Sequence, residues 1–108
     1  MRRVILESPF AGDIETNLRY ARAALKDCLK RGEAPFASHL LYTQPGVLDD
    51  FDPEERMWGI HAGFEWNKVA EASVVYTDLG ISKGMEYDIK HAEECGRPIE
   101  YRTIPDWK

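Results

Sequence analysis

Short apolar runs alternate with helix-length segments along this chain, and that alternation limits the fold more than any single motif. Residues 3–8 (RVILES) form an apolar run ending in a polar turn, the pattern of a buried strand. A loop over residues 9–13 follows. From about Glu15 the period becomes helical: Leu18, Ala21, Leu25 and Cys28 or Leu29 recur every three or four positions, with basic residues between them. Thr16 or Asp13 suits the cap of this helix, and Gly32 suits its end. Residues 34–42 (APFASHLLY) read as a second strand, and residues 44–51 as a flexible connection. Asp52-Pro53-Glu54-Glu55 then starts a helix, with a capping aspartate, a proline at the first position and Glu55 where a capping box needs it. This helix is expected to run to about Ala70 with Met57, Ile60, Phe64 and Trp66 or Val69 inward. Gly59 and Gly63 lie four apart on one face, open to a close backbone, a ligand or a second subunit. Residues 72–77 are a third strand, Ser82 caps a helix through about Glu94 closed by Gly96, and residues 97–103 are a last strand.

Helix-length connections between successive strands imply parallel pairing. The expected fold is therefore α/β, a Rossmann-like or flavodoxin-like three-layer sandwich with a small, mainly parallel sheet of about four strands. Its 108 residues suit one domain spanning 1–108, and a 44% hydrophobic content is too high for a disordered chain. The net charge of −5 argues against a nucleic-acid polymer as partner, because phosphate backbones are met by clustered Lys and Arg. A small phosphorylated ligand stays compatible with that charge, since a helix start can hold it. No apolar stretch is long enough for a membrane span, and the run after Arg2-Arg3 is too short for a signal peptide, so a cytoplasmic protein is expected. Cys28 and Cys95 have no CxxC or Cys/His pairing, and read as free buried thiols. Nothing has metal-site spacing, and no cofactor is implied.

In an open parallel sheet, ligands sit beyond the carboxyl ends of the strands. Three loops meet there. The first carries Ser8, Phe10 and Gly12, the second Ser38, His39, Tyr42 and Thr43, and the third Asp78, Gly80, Ser82, Lys83 and Gly84. Ser82 at a helix start offers a hydroxyl and free N–H groups to an anion, and also serves as a plain N-cap. At about 100° per residue, Met85, Ile89, Ala92 and Cys95 share one apolar face. Asp88 lies on the edge of that face, and Glu86 lies on the solvated side. A carboxylate so placed suits a nucleophile or base, or equally a half-buried partner of Tyr42 or Arg97.

The segment from Ser82 through Gly84, Asp88 and Ala92 to Arg97-Pro98-Ile99 resembles the nucleoside 2-deoxyribosyltransferase superfamily, which includes the deoxynucleoside monophosphate N-glycosidases. The SPFAGD start and the HLLYTQ segment are most similar to its small uncharacterised phage and bacterial branch. Aspartate stands at the nucleophile position where the enzymes carry glutamate, and Ser73 stands where an aspartate is common. The resemblance implies double displacement, with Asp88 attacking the anomeric carbon of a 2-deoxyribose, as in retaining glycosidases. It implies Asp78 and His39 as further catalytic groups, Ser8, Gly12, Ser82 and Gly84 around the phosphate, Tyr42 on the sugar or base, and Phe10 or Trp58 stacked on the base.

Two functions follow as expectations. One is an enzyme that cleaves or exchanges the N-glycosidic bond of deoxynucleotides, as an N-glycosidase or deoxyribosyltransferase. The alternative is a non-catalytic protein that binds a nucleotide or nucleotide signal. Both take a small nucleotide ligand, and the resemblance adds a homo-oligomer, dimer or higher. A protein that merely reuses the fold for interaction is a third possibility.

Overall fold

The computed structural model describes residues 1–107 as four strands and four helices. Strands β1 (Arg2–Glu7), β2 (Glu33–Phe36), β3 (Ala72–Tyr76) and β4 (Ile99–Arg102) form one sheet in the order β2-β1-β3-β4, with every neighbouring pair parallel. Helix α1 (Ile14–Lys30) links β1 to β2, the short α2 (Ser38–Leu41) and α3 (Pro53–Asn67) link β2 to β3, and α4 (Lys83–Glu94) links β3 to β4. The fold is α/β and Rossmann- or flavodoxin-like. Winding runs outward from β1 to β2, then returns past β1 to β3. Right-handed crossovers therefore place α1 on one face and α3 and α4 on the other. The two directions diverge between β1 and β3, where such sheets open a crevice at their carboxyl ends.

Side chains alternate across the sheet, so even and odd positions of β1 serve different layers. Val4 and Leu6, with Val74 and Tyr76 of β3, pack on Tyr20, Ala21, Ala24 and Cys28 of α1. The alanines and Cys28 let the helix approach the sheet closely. Leu40, Ile104 and Trp107 complete this core. Arg102 enters the same layer from β4, and its two Nη atoms donate to the two Glu33 carboxylate oxygens at 2.7 Å each. Those bonds, with a third from Arg2, hold the Glu33 carboxyl at about 2. The odd face is more polar. It carries Glu7, and Ser73, whose Oγ accepts from Arg97 Nε at 2.9 Å.

Capping follows local sequence. Asp13 accepts from Thr16 N and starts α1, Asp52 accepts from Glu54 N and Glu55 N at the start of α3, and Ser82 accepts from Met85 N at the start of α4. Gly32 and Gly96 follow the ends of α1 and α4 with φ of +78° and +71°, the left-handed turn that glycine enters without strain.

Several expectations need correction. The second strand stops at Phe36, and residues 38–41 turn into helix. Ala37 and Leu40 enter the core together, a spacing of three that only a helical turn provides. Helix α3 ends at Asn67 rather than near Ala70; Met57, Trp66 and, beyond the helix, Val69 are exposed, while Gly63 and Asn67 are the buried positions. The reason is a glycine seam. A Cβ on Gly59 would meet Leu48 Cδ1 at 3.3 Å, and one on Gly63 would meet Ser38 Cβ at 3.3 Å. The face expected to stay open for a second subunit is thus filled by the chain's own α2 and the loop after it. Glu55 accepts from Asp49 N at 3.1 Å rather than closing a capping box on Asp52. Cys28 is buried but Cys95 is exposed. His91 of α4 stacks on Phe64 of α3 with ring centroids 3.9 Å apart.

Candidate active site

A cavity of about 540 Å³ opens at the carboxyl end of the sheet, within the size range of small-ligand pockets. Three chain segments build it. The first continues β1: Glu7, Ser8 and Phe10 line the wall. Asn17 of α1 fixes this loop by donating from Nδ2 to the carbonyls of Phe10 and Ala11, both at 3.0 Å. The second segment is α2, which brings in Ser38, His39 and Tyr42. The third is the start of α4, with Ser82, Lys83, Gly84 and Asp88. Helix α3 closes the side with Arg56, Gly59 and Ile60.

Ser8 Oγ and His39 Nε2 lie 2.7 Å apart, tying the first loop to α2. Burial pulls the His39 imidazole down to about 4, so the ring is neutral at physiological pH. Among the described residues no carboxylate hydrogen-bonds this histidine, so Ser8 and His39 lack the third member of a hydrolase triad. Tyr42 is held from outside by Trp66, whose Nε1 donates to the Tyr42 hydroxyl at 3.2 Å. A side chain on Gly84 would meet nothing nearer than Ser82 Oγ at 3.9 Å, so glycine leaves the backbone of this helix start open to a ligand. Ser82 itself is engaged, accepting from Met85 N at 3.3 Å while its own N–H points at Met85 Sδ.

The acid chemistry centres on two residues. Glu7 ends β1 on the face that α4 covers and lines the same cavity as Asp88, so that the two carboxyls act on each other. Burial and the neighbouring Asp88 charge push Glu7 well above the usual carboxylate range. Burial also raises Asp88, while the hydrogen bond from Glu7 opposes that rise. Arg56 faces Asp88 across the cavity and also stands near Asp50 at 3.9 Å.

Of the residues singled out in the sequence, Asp88, His39, Ser8, Phe10, Tyr42, Ser82 and Gly84 share this cavity. Asp78 and Gly12 are not among its lining residues. Asp78 instead accepts from the Tyr20 hydroxyl at 2.6 Å and from Ile104 N at 2.9 Å, which commits its carboxylate to packing the C-terminal segment. Gly12 adopts φ +98° in the turn before α1. Trp58 is exposed on α3 and also outside the lining. Sequence reasoning missed Glu7, Asn17 and Arg56. The signal for Glu7 was present: it continues the odd register of Arg3 and Ile5, so a strand ending there must aim it at the α4 layer.

No helix among the described residues is long and apolar enough to cross a membrane. No curated protein matches the chain. Among solved structures it is similar to a 2-deoxyribosyltransferase from the psychrotolerant bacterium Bacillus psychrosaccharolyticus, with a TM-score of 0.73 and 17% identity, covering 98% of this chain and 75% of that one. At that identity the likeness is one of fold. The family model that matches is DUF7768, a domain of unknown function, over residues 2–102. With nearly its whole length inside that match, the chain belongs to the DUF7768 family.

Proposed function

We propose that this protein binds a deoxynucleotide in the cavity at the carboxyl end of its sheet and cleaves or exchanges the N-glycosidic bond through Asp88. The observation that carries this reading is the position of Asp88: a carboxylate in the second turn of α4, lining the cavity together with the start of that helix and Phe10. The structural likeness to a 2-deoxyribosyltransferase supports a ligand of nucleoside type. In the first step an Asp88 oxygen bonds to the anomeric carbon as the carbon–nitrogen bond breaks. The base leaves with the bonding electrons and takes up a proton. In the second, water or another base attacks the same carbon and releases Asp88 as carboxylate, and the proton lost by the attacking group returns to solvent, replacing the one the departing base drew from it. The α4 start around Ser82 and Gly84, with Lys83 beside it, suits a phosphate. His39, Ser8 and Tyr42 contact the sugar, and Phe10 stacks on the base.

The test is chromatographic detection of free base from a panel of 2′-deoxynucleoside 5′-monophosphates. Base release that disappears in Asp88→Asn is the expected result. Absent turnover, or an Asp88→Asn variant as active as the parent, defeats the enzymatic reading. The shorter reach of aspartate favours one second reading, nucleotide binding without turnover. It predicts ligand-dependent thermal stabilisation with the ligand recovered intact.

A further inference from the structure

The acid beside Asp88 is the feature of the cavity that the proposed reaction does not account for. Glu7 is 6% exposed, sits at the last position of β1, and lines the cavity together with Asp88 of α4. Two carboxylates enclosed in one wall repel when both are ionised and attract only when one of them supplies a proton to the other. The surroundings do not neutralise both. Arg97 faces the pair from the segment before β4, and its Nε and Nη1 donate to neutral acceptors, Ser73 Oγ and the Asn67 carbonyl. Its buried Nη2 has no partner among the described residues, and its single charge can balance one carboxylate but not two. Arg56 on α3 and His91 on α4 act on Asp88 only through their charge. Neither Glu7 nor Asp88 forms an ion pair within 4 Å among the described residues. The remaining titratable groups on the wall, His39, Tyr42, Asp50, Lys83 and Tyr87, line the cavity without a hydrogen bond to either acid.

We propose that Glu7 is a positioning residue that holds one proton between itself and Asp88, so that Asp88 is the ionised member and its attacking oxygen is aimed. The assignment of a role in turnover rests on the reading of Asp88 as nucleophile; the shared proton does not. Strand alternation explains why the pair forms. The odd register of β1 delivers Glu7 to the α4 layer, and the edge of the apolar face of α4 delivers Asp88 to the same point. Glu7 is the more deeply enclosed of the two, so the proton belongs mainly to it. In the first step the negative charge of Asp88 is consumed as its ester forms, and the Glu7 proton keeps its place on the oxygen not used for attack. When water displaces the ester, the Asp88 carboxylate reappears against the same donor.

The deciding experiment is a carboxyl carbon-13 NMR titration of the whole chain, labelled at Glu and Asp. Glu7 is expected to stay protonated through neutral pH, while Asp88 ionises at lower pH. In Asp88→Asn the Glu7 midpoint should fall by at least one pH unit, because the neighbouring charge is gone. Glu7→Leu should raise the Asp88 midpoint, and Glu7→Gln, which still donates an N–H, should bring it back down. A Glu7 midpoint in the usual glutamate range, or one insensitive to Asp88→Asn, overturns the pair. That reading needs no substrate, so an absence of base release leaves it standing and removes only the proposed reaction. With turnover, Glu7→Leu should lower kcat at neutral pH by tenfold or more, and Glu7→Gln should recover most of that loss. The parent's rate should decline at alkaline pH as Glu7 ionises, and Glu7→Gln should lack that decline. An alkaline limb identical in parent and Glu7→Gln would refute the positioning role.

Discussion

Arg102 reaches from the end of β4 under the sheet, and its two-pronged contact with Glu33 shows what a single residue costs when its partner is buried. Both carboxylate oxygens of Glu33 accept at 2.7 Å, and Glu100 adds a third acceptor to the guanidinium at 3.2 Å. Arg102→Ala leaves Glu33 beneath the sheet with only the exposed Arg2 to face it. We expect a loss of about 3 kcal/mol in urea denaturation, as for other buried pairs broken on one side. Replacing both partners by apolar residues, Arg102→Met with Glu33→Leu, should cost less than the single change. A double variant weaker than Arg102→Ala would contradict that account. Asp78 makes a second case. Its carboxylate ties Tyr20 to Ile104, and Trp107 packs edge-on against the same Tyr20 ring at 4.7 Å. Asp78→Ala should lower stability by about 1–3 kcal/mol. Its ligand-induced thermal shift should match that of the parent, and loss of that shift would return Asp78 to the site.

At the scale of elements, the connection between β2 and β3 was the part least legible in the sequence. Residues 34–42 contain enough apolar side chains to pass for a long strand. Their true division depends on where Ala37 and Leu40 find the core, which is a tertiary fact. The α3 seam was half legible: the Gly59 and Gly63 spacing was plain, but its occupant was not. Ser38 and Tyr42, four apart as well, fit against it from the same chain. This geometry separates two substitutions that look alike in sequence. A methyl on Gly59 meets the far end of Leu48, which can rotate away, so Gly59→Ala should keep much of the helix-propensity gain of about 1 kcal/mol. A methyl on Gly63 meets Ser38 Cβ, which moves only with α2 and carries His39 away from Ser8. Circular dichroism melts should show a raised Tm for Gly59→Ala and a lowered one for Gly63→Ala. A common direction for both would mean that α2 is not fixed on this seam.

Over the whole molecule, the sheet and the location of the site were readable because strand–helix alternation dictates parallel pairing, and parallel pairing dictates where ligands enter. The electrostatics were not readable, since Glu7, His39 and Glu33 owe their acidity to neighbours brought from distant positions. Their combined effect is a distinctive dependence of stability on pH. Glu33 lies at about 2 in the fold, below its unfolded value, so its contribution is complete above about 4.5 and fades as pH falls toward 2. His39 lies at about 4, below its unfolded value near 6.5, so its contribution is complete above about 6.5 and fades as pH falls toward 4. Glu7 is raised, and the sign reverses: its contribution is complete below about 4.5 and is lost as pH climbs toward its folded value. Each group contributes a slope of at most about 1.4 kcal/mol per pH unit. Stability should therefore rise from pH 2 to about 4, where the raised Asp88 begins to work against the rise, and change little from there to about 6.5, where His39 and Glu7 oppose each other. Above that it should decline. Glu7→Gln should remove the decline and let stability keep rising to about pH 6.5, whereas His39→Gln should start the decline near 4.5. Denaturant titrations of the three proteins at intervals of half a pH unit test this. A parent curve that keeps climbing through pH 7 would show that Glu7 ionises in the fold as freely as in the unfolded chain, and the proton shared with Asp88 would have no place to reside.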